Sequence, residues 1–295
     1  MERATQPAGN RASTVLGRRL GGELLRLRDA AGKTQQQAAE SINATGTKIV
    51  KMERGWVPMR DPDIRVLCEF YGLGDPKVLA RLLDLARLDR ERRKAKGWWQ
   101  HAPHPGTLAE YIALEDAASR VRTWQLSLVP GLFQTAEYAR SVTVTEGVGV
   151  WEDPDEIERL VDIRMRRQAR LHDERPLQMY AVIWEAALRQ LIGGPKTMRA
   201  QLERLLEMAD LPNVRVQVLP FQAGGHPCIS GQFTIISFAE TEAVDVVHAD
   251  AIASTVWVEN EAESAAYSGF FERTARLSLA PRDSVQLIDI IRQEI

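Results

Sequence analysis

The chain has 295 residues, 44% of them hydrophobic and 26% charged, with a net charge of −2. That composition belongs to a globular protein long enough for two cores; it excludes a disordered, collagenous or disulfide-stapled chain. No stretch approaches the ~18 consecutive apolar residues of a membrane span, and the opening MERATQPAGNRAS lacks the apolar centre of a secretory signal.

Charge is unevenly placed. Between Arg11 and Arg60 stand ten basic and four acidic residues, an excess of six positive charges, so the remainder carries the balancing acid. Such asymmetry suggests one region that meets polyanions and another that does not. Cys68 and Cys228 lie far apart, and Cys68 falls on an apolar helical face. A disulfide is not expected, which fits a reducing cytoplasm.

Residues 1–12 read as a flexible tail and residues 13–95 as an all-α domain of five helices. Leu16, Leu20, Leu24, Leu27 and Ala31 recur at helical spacing, and Gly32 stops that helix. Thr34 with Gln37 forms a capping box at the start of a second helix, TQQQAAESI, whose small Ala38 and Ala39 permit close approach of a neighbour. Asn43 and Ala44 make a short turn. Thr45 caps a third helix, TGTKIVKMERG, with Ile49 and Met52 inward and Thr47, Lys48 and Lys51 outward. Pro58 blocks its continuation. Asp61-Pro62 opens a fourth helix ending at Gly72, and Asp75-Pro76 opens a fifth.

Two short helices joined by a tight turn, the second starting with small polar and basic residues, match the helix-turn-helix motif. Short side chains at the start of the third helix let its backbone enter the major groove. Its N-terminal amides favour phosphate, while Lys48 and Lys51 reach phosphates or base edges.

The segment LRLRDAAGKTQQQAAESINATGTKIVKMERG resembles the Cro/repressor-type (XRE) helix-turn-helix family. The resemblance implies a DNA contact from Gln35, next to the cap Thr34, and base reading by Thr45, Gly46, Thr47 and Lys48. Glu53-Arg54-Gly55 matches the family's structural ending of this helix. Gly46 departs from the Arg or Ser often found there, which removes one base contact. The competing reading is a helical bundle that binds only protein.

Residues 96–106 read as a linker. Trp98 and Trp99 in it suit docking onto a core better than stacking on nucleic acid, and His101 and His104 lack the spacing of a zinc site. Residues 107–295 read as a larger α+β domain with a small antiparallel sheet surrounded by helices. Helices are expected at 107–119, 136–142, 153–172, around Met198–Ala209, at 259–279 and at 284–293. Strands are expected at VRTWQL, LQMYAVIW, VRVQVL, QFTIISF and near Val244–Val247.

Several blocks here, among them RTWQLSLVPGLFQTAEYAR, RMRRQARL and SLAPRDSVQLI, are similar in order to the C-terminal domain of actinobacterial XRE regulators described as antitoxin-like. The resemblance implies a regulatory domain that binds a small protein encoded by a neighbouring gene. Two segments are candidates for the contact. RMRRQARL sets Arg164 and Arg167 on a helix where they suit an acidic partner, and VPGLFQTAEYAR sets Leu132, Phe133 and Tyr138 beside a turn where they suit a groove. The alternative is that the arginines pair within the fold, with Asp162 and Asp173, and that Leu132 and Phe133 are core.

An enzyme is not expected. His226 and Cys228 in the loop AGGHPCISG, with His248, Asp250 and Glu185, are the only candidates for such chemistry; the loop matches no phosphate-binding or nucleophile motif. Convergence of His226 and Cys228 on an acid would favour catalysis. No cofactor and no metal site are expected. The sequence thus reads as a cytoplasmic, nucleoid-associated, homodimeric regulator that binds double-stranded DNA, without a membrane contact. The alternatives are an antitoxin-like protein that mainly sequesters its partner, or a small-molecule-sensing repressor.

Overall fold

The chain divides at Gly97 into two units, Met1–Gly97 and Trp98–Ile295. The computed structural model describes residues 14–94, 106–146, 153–239, 244–251 and 254–295. The tail 1–12, most of the linker, and Trp98, Trp99, His101 and His104 lie outside the described residues.

The first unit holds α1 (Val15–Ala30), α2 (Gln35–Ser41), α3 (Gly46–Glu53), α4 (Asp61–Phe70) and α5 (Pro76–Lys94). The helix ends follow from local chemistry. The capping box forms at Thr34 with both of its hydrogen bonds, and Thr45 Oγ1 accepts from the Lys48 amide at 3.3 Å. Helices α1, α3 and α4 each end in a Schellman motif. The amide of Gly32, Gly55 or Gly72, and that of the residue after it, return to carbonyls of the last helical turn. Leu20, Leu24, Ala38, Ala39, Ile49, Met52, Ile64, Leu67 and Leu82 close one core. Gly21 allows α1 to lie directly on the end of α3: a Cβ there would stand 2.4 Å from the carbonyl oxygens of Met52 and Glu53.

The second unit runs α6 (Gly106–Ala117), β1 (Arg120–Gln125), α7 (Ala136–Glu146), α8 (Pro154–Arg167), β2 (Gln178–Trp184), α9 (Glu185–Arg189), α10 (Gly194–Ala209), β3 (Val214–Leu219), β4 (Phe233–Ser237), β5 (Val246–Ala251), β6 (Ser254–Val258), α11 (Glu261–Leu277) and α12 (Pro281–Glu294). Its strands form one six-stranded sheet in the order β3-β2-β1-β4-β5-β6. The α+β class holds, but the sheet is larger than expected and mixed rather than antiparallel. Strands β1, β2 and β3 pair in parallel, and β1, β4, β5 and β6 pair antiparallel. The reason is connection length. Helices α7 and α8 separate β1 from β2, and α9 and α10 separate β2 from β3, so the chain crosses back before each next strand.

One face of this sheet is apolar. Trp124, Val182, Ile235, Val247 and Val258 pack there with Phe271 of α11. The opposite face carries a row in register across four strands, Thr123, Thr234, His248 and Trp257.

Candidate nucleic-acid interface

Helix α3 turns Ile49 and Met52 into the core and Glu53 toward Arg28, and leaves an outward face between them. Thr45, Thr47 and Lys51 are exposed. Lys48 is partly exposed, and its Nζ lies 2.8 Å from Asp63 Oδ2 of α4. A basic group at the start of α3 is therefore held by an acid of the same unit, and a phosphate must compete with that acid.

Gln35 stands at the beginning of α2, with its Nε2 donating to Glu53 Oε2 at 2.7 Å. The same carboxylate takes Nε of Arg28 at 2.5 Å, and Arg28 also donates to the carbonyl of Lys33 at 2.8 Å. Both members of this ion pair are largely buried, and the bond to Glu53 holds the Arg28 guanidinium above the ordinary arginine range. The pair braces α1 against the last turn of α3 and fixes the Gln35 side chain beside it. Glu53 is structural, as its place in the motif implied, and it also orients Gln35.

One residue escaped the sequence reading. Gln36 reaches over the start of α3, with its Oε1 3.6 Å from where a Cβ on Gly46 would stand. It is exposed and donates to Glu40 Oε1 at 3.0 Å. The glycine that removes one side chain from this surface leaves room for another, from the preceding helix. The signal in the sequence was the run of three glutamines after Thr34, of which the middle one alone was assigned no role.

In the second unit the candidate partner residues turn inward. Leu132, Phe133 and Tyr138 are at most 2% exposed, so these three side chains fill the core and do not line a groove. Tyr138 accepts the Val129 amide at 3.2 Å. Arg167 makes two hydrogen bonds to Glu115 of α6, at 2.7 and 2.8 Å, and lies 5.0 Å above the Tyr111 ring. Burial opposes its charge, and Glu115 more than offsets this, so the guanidinium is held above the ordinary arginine range. Arg164 donates to Gln134 Oε1 at 2.8 Å. Arg170 pairs with Asp173, as the inward alternative had it.

His226 and Cys228 address different neighbours. The His226 ring packs on Trp124 with centroids 5.0 Å apart, while Cys228 Sγ accepts from Thr274 Oγ1 at 3.1 Å. Burial lowers the pKa of His226 and raises that of Cys228, so neither is poised as an imidazolium–thiolate pair. The Glu185 carboxylate accepts the Phe221 amide at 2.9 Å and Nε of Arg189 at 2.7 Å. It joins two chain segments. Cys68 and Cys228 are both buried thiols, and burial pushes Cys68 up to about 11. Among the described residues, no group of three or more His, Cys, Asp or Glu side chains is placed to hold a metal, and no helix is long and apolar enough to cross a membrane.

Comparison with known families agrees with this division. A family model described as a helix-turn-helix domain matches residues 19–82. A second, described as a domain of unknown function (DUF5753), matches residues 108–289. No curated protein and no solved structure matches the chain. The first match, together with the exposed face of α3, supports a DNA-binding regulator. The second spans more than half of the sequence, and the chain belongs to the family defined by that domain of unknown function (DUF5753).

Proposed function

We propose that the protein is a sequence-specific transcription regulator of the XRE type, reading its operator with α3. The observation that carries this is the outward face of α3, where Thr45, Thr47 and Lys48 stand at a capped helix start and Lys51 follows in the last turn. Amides at the capped start favour phosphate, and side chains of this length reach base edges. Gln35 and Gln36 extend the same surface. The working species is a homodimer on an inverted repeat, because one such motif covers little DNA; its half-sites lie about 34 Å or a multiple of that apart. The site of action is the cytoplasm, at the nucleoid, and the second unit is a receiving domain without catalytic activity.

The test is a gel-shift titration on the operator, located by genomic footprinting. Thr47→Ala and Lys48→Ala each weaken specific binding by about 1–3 kcal/mol where a base contact is lost. Unchanged affinity in both variants, with the fold intact, overturns the assignment of α3. Light scattering that finds a monomer on and off DNA overturns the dimer.

The receiving role rests on the antitoxin-like resemblance, whose implied partner is a small protein encoded nearby. Burial of Leu132, Phe133 and Tyr138 withdraws the apolar part of the surface first considered for it. Calorimetry with that neighbouring protein decides this part, and an absence of binding heat removes it.

A further inference from the structure

The two edges of the sheet are finished differently. At β3 the chain closes its own edge: the Val218 amide donates to Ser284 Oγ at 2.9 Å, and the Val218 carbonyl accepts the Leu279 amide at 2.9 Å. At the far end, β6 pairs with β5 on one side only. Among the described residues, its main chain is hydrogen-bonded to β5 and to nothing else. On the open side every second residue therefore presents an unpaired N–H and C=O, a template for a further strand.

Proteins ordinarily guard such an edge with a charge, a proline or a bulge. This edge has none of them. From Ala251 to Val258 the chain carries no charged residue and no proline, and the register with β5 runs without a bulge from Val258 to Ser254. Val256 stands opposite Ala249, on the same face of β6 as the core residue Val258, yet it is 49% exposed. The apolar face of the sheet thus continues to the open edge and stops there uncovered.

The strand itself indicates its occupant, because Ser254–Val258 is self-complementary about Val256. Laid antiparallel on a second copy, Thr255 stands opposite the partner's Trp257, and Val256 opposite the partner's Val256. Pairs of β-branched and aromatic residues of this kind stabilise a sheet. No like charges meet, since Asp250 and Glu259 lie outside the paired residues. One strand serves both copies, so the contact is isologous, closes on itself and leaves neither β6 with an open side.

We propose that two copies of this chain join edge to edge through antiparallel β6 strands centred on Val256, which makes their two sheets continuous. The proposal rests on the reading of the working species as a homodimer and names the surface that pairs. It is tested without DNA, so the assignment of α3 stands apart from it.

The experiment is sedimentation of the full chain, as parent, as Val256→Lys, as Val256→Glu, and as an equal mixture of the two variants. The parent sediments as a dimer. Each variant sets two like charges against each other across the two-fold axis and weakens the dimer by about ten-fold or more, while its thermal midpoint as a monomer shows that the half-exposed position tolerates the change. The mixture sets lysine against glutamate and restores the dimer. A second variant reads the register directly. Directly opposed residues of antiparallel strands have Cα atoms ~4.5–5.5 Å apart, within the span of a disulfide. Val256→Cys therefore oxidises to a covalent dimer, whereas Leu277→Cys, 46% exposed on α11, does not; Cys68 and Cys228 are buried and add no background. A parent that is monomeric throughout overturns both the proposal and the homodimer. Dimers that persist in both charge variants, a mixture that stays monomeric, or Val256→Cys that links no faster than Leu277→Cys overturn the proposal alone and leave the dimer to another surface.

Discussion

Lys51 of α3 and Arg167 of α8 are both basic residues in the last turn of an amphipathic helix, yet their fates differ. Lys51 faces solvent, whereas Arg167 is bound to Glu115 with a side chain only 10% exposed. The two helices differ in how much they must bury. Helix α3 belongs to a thin five-helix unit and contributes one narrow apolar stripe, Ile49 and Met52. Helix α8 packs against α7 and meets Glu115, which comes from a helix 52 residues earlier. In a small helical unit the helix's own pattern decides which side chains are displayed. In a layered α+β unit, long-range partners decide.

The sharpest way to break that contrast is to remove one buried partner. Glu115→Gln leaves the largely buried Arg167 guanidinium facing a neutral group, at an expected cost of about 3–5 kcal/mol. Replacing both residues, as Glu115→Leu with Arg167→Met, recovers much of the loss, since apolar groups need no counter-charge. The exposed pair Arg140–Glu158, although its Nε–Oε1 distance is 2.5 Å, leaves the stability where it was when Arg140 becomes Ala. Hydrogen exchange on peptides of the second unit measures each case. A small loss for Glu115→Gln would mean that α6 and α8 are held by something other than their charges.

In the first unit the corresponding weak point is a backbone contact. Gly21→Ala puts a methyl group 2.4 Å from two carbonyl oxygens of α3, and overpacking of this kind costs about 1–3 kcal/mol. Gly22→Ala, one residue on, meets nothing within 4 Å and gains roughly 0.5–1 kcal/mol from helix propensity. Opposite signs at neighbouring glycines are the expected outcome of thermal unfolding. Equal effects would show that α1 does not approach α3 so closely. Thr34→Ala loses the capping box at a cost of about 0.5–2 kcal/mol, read as faster exchange of the α2 amides.

These cases explain what could be read from the sequence. The caps at Thr34 and Thr45, the stops at Gly32, Gly55 and Gly72, and the outward set on α3 all depend on residues within a turn of one another. Each was visible as spacing. The sheet was not. The helices of that unit other than the short α9, and most of its strands, were placed correctly, but the parallel pairing of β1, β2 and β3 follows only when the helices between them are treated as crossovers. Strand β6 was missed altogether: Thr255, Val256 and Trp257 alternate over too few residues to stand out. Leu132, Phe133 and Arg167 carried two readings each, and only partners distant in sequence, such as Glu115, select between them.

The smallest expected effect concerns Lys48, the place where display is incomplete. Its Nζ is held by Asp63 at 2.8 Å with 42% of the side chain exposed, so the pair contributes at most about 1 kcal/mol to the fold. To meet a phosphate, Lys48 must leave that acid. Asp63→Asn therefore lowers the cost of the exchange and tightens operator binding by up to about five-fold, the equivalent of that same interaction. Removing an acid near DNA also relieves general repulsion, so the single variant is ambiguous. A double-mutant cycle separates the two causes. If Asp63 acts by holding Lys48, its substitution gains affinity in the parent and nothing in a Lys48→Ala background. General repulsion gives the same gain in both, and the salt dependence then shifts alike whether Lys48 is present or absent. Gel-shift titrations at two salt concentrations supply all four corners. A gain that survives Lys48→Ala undiminished would place Lys48 outside the phosphate contacts and leave Thr47, Lys51 and the two glutamines to read the operator.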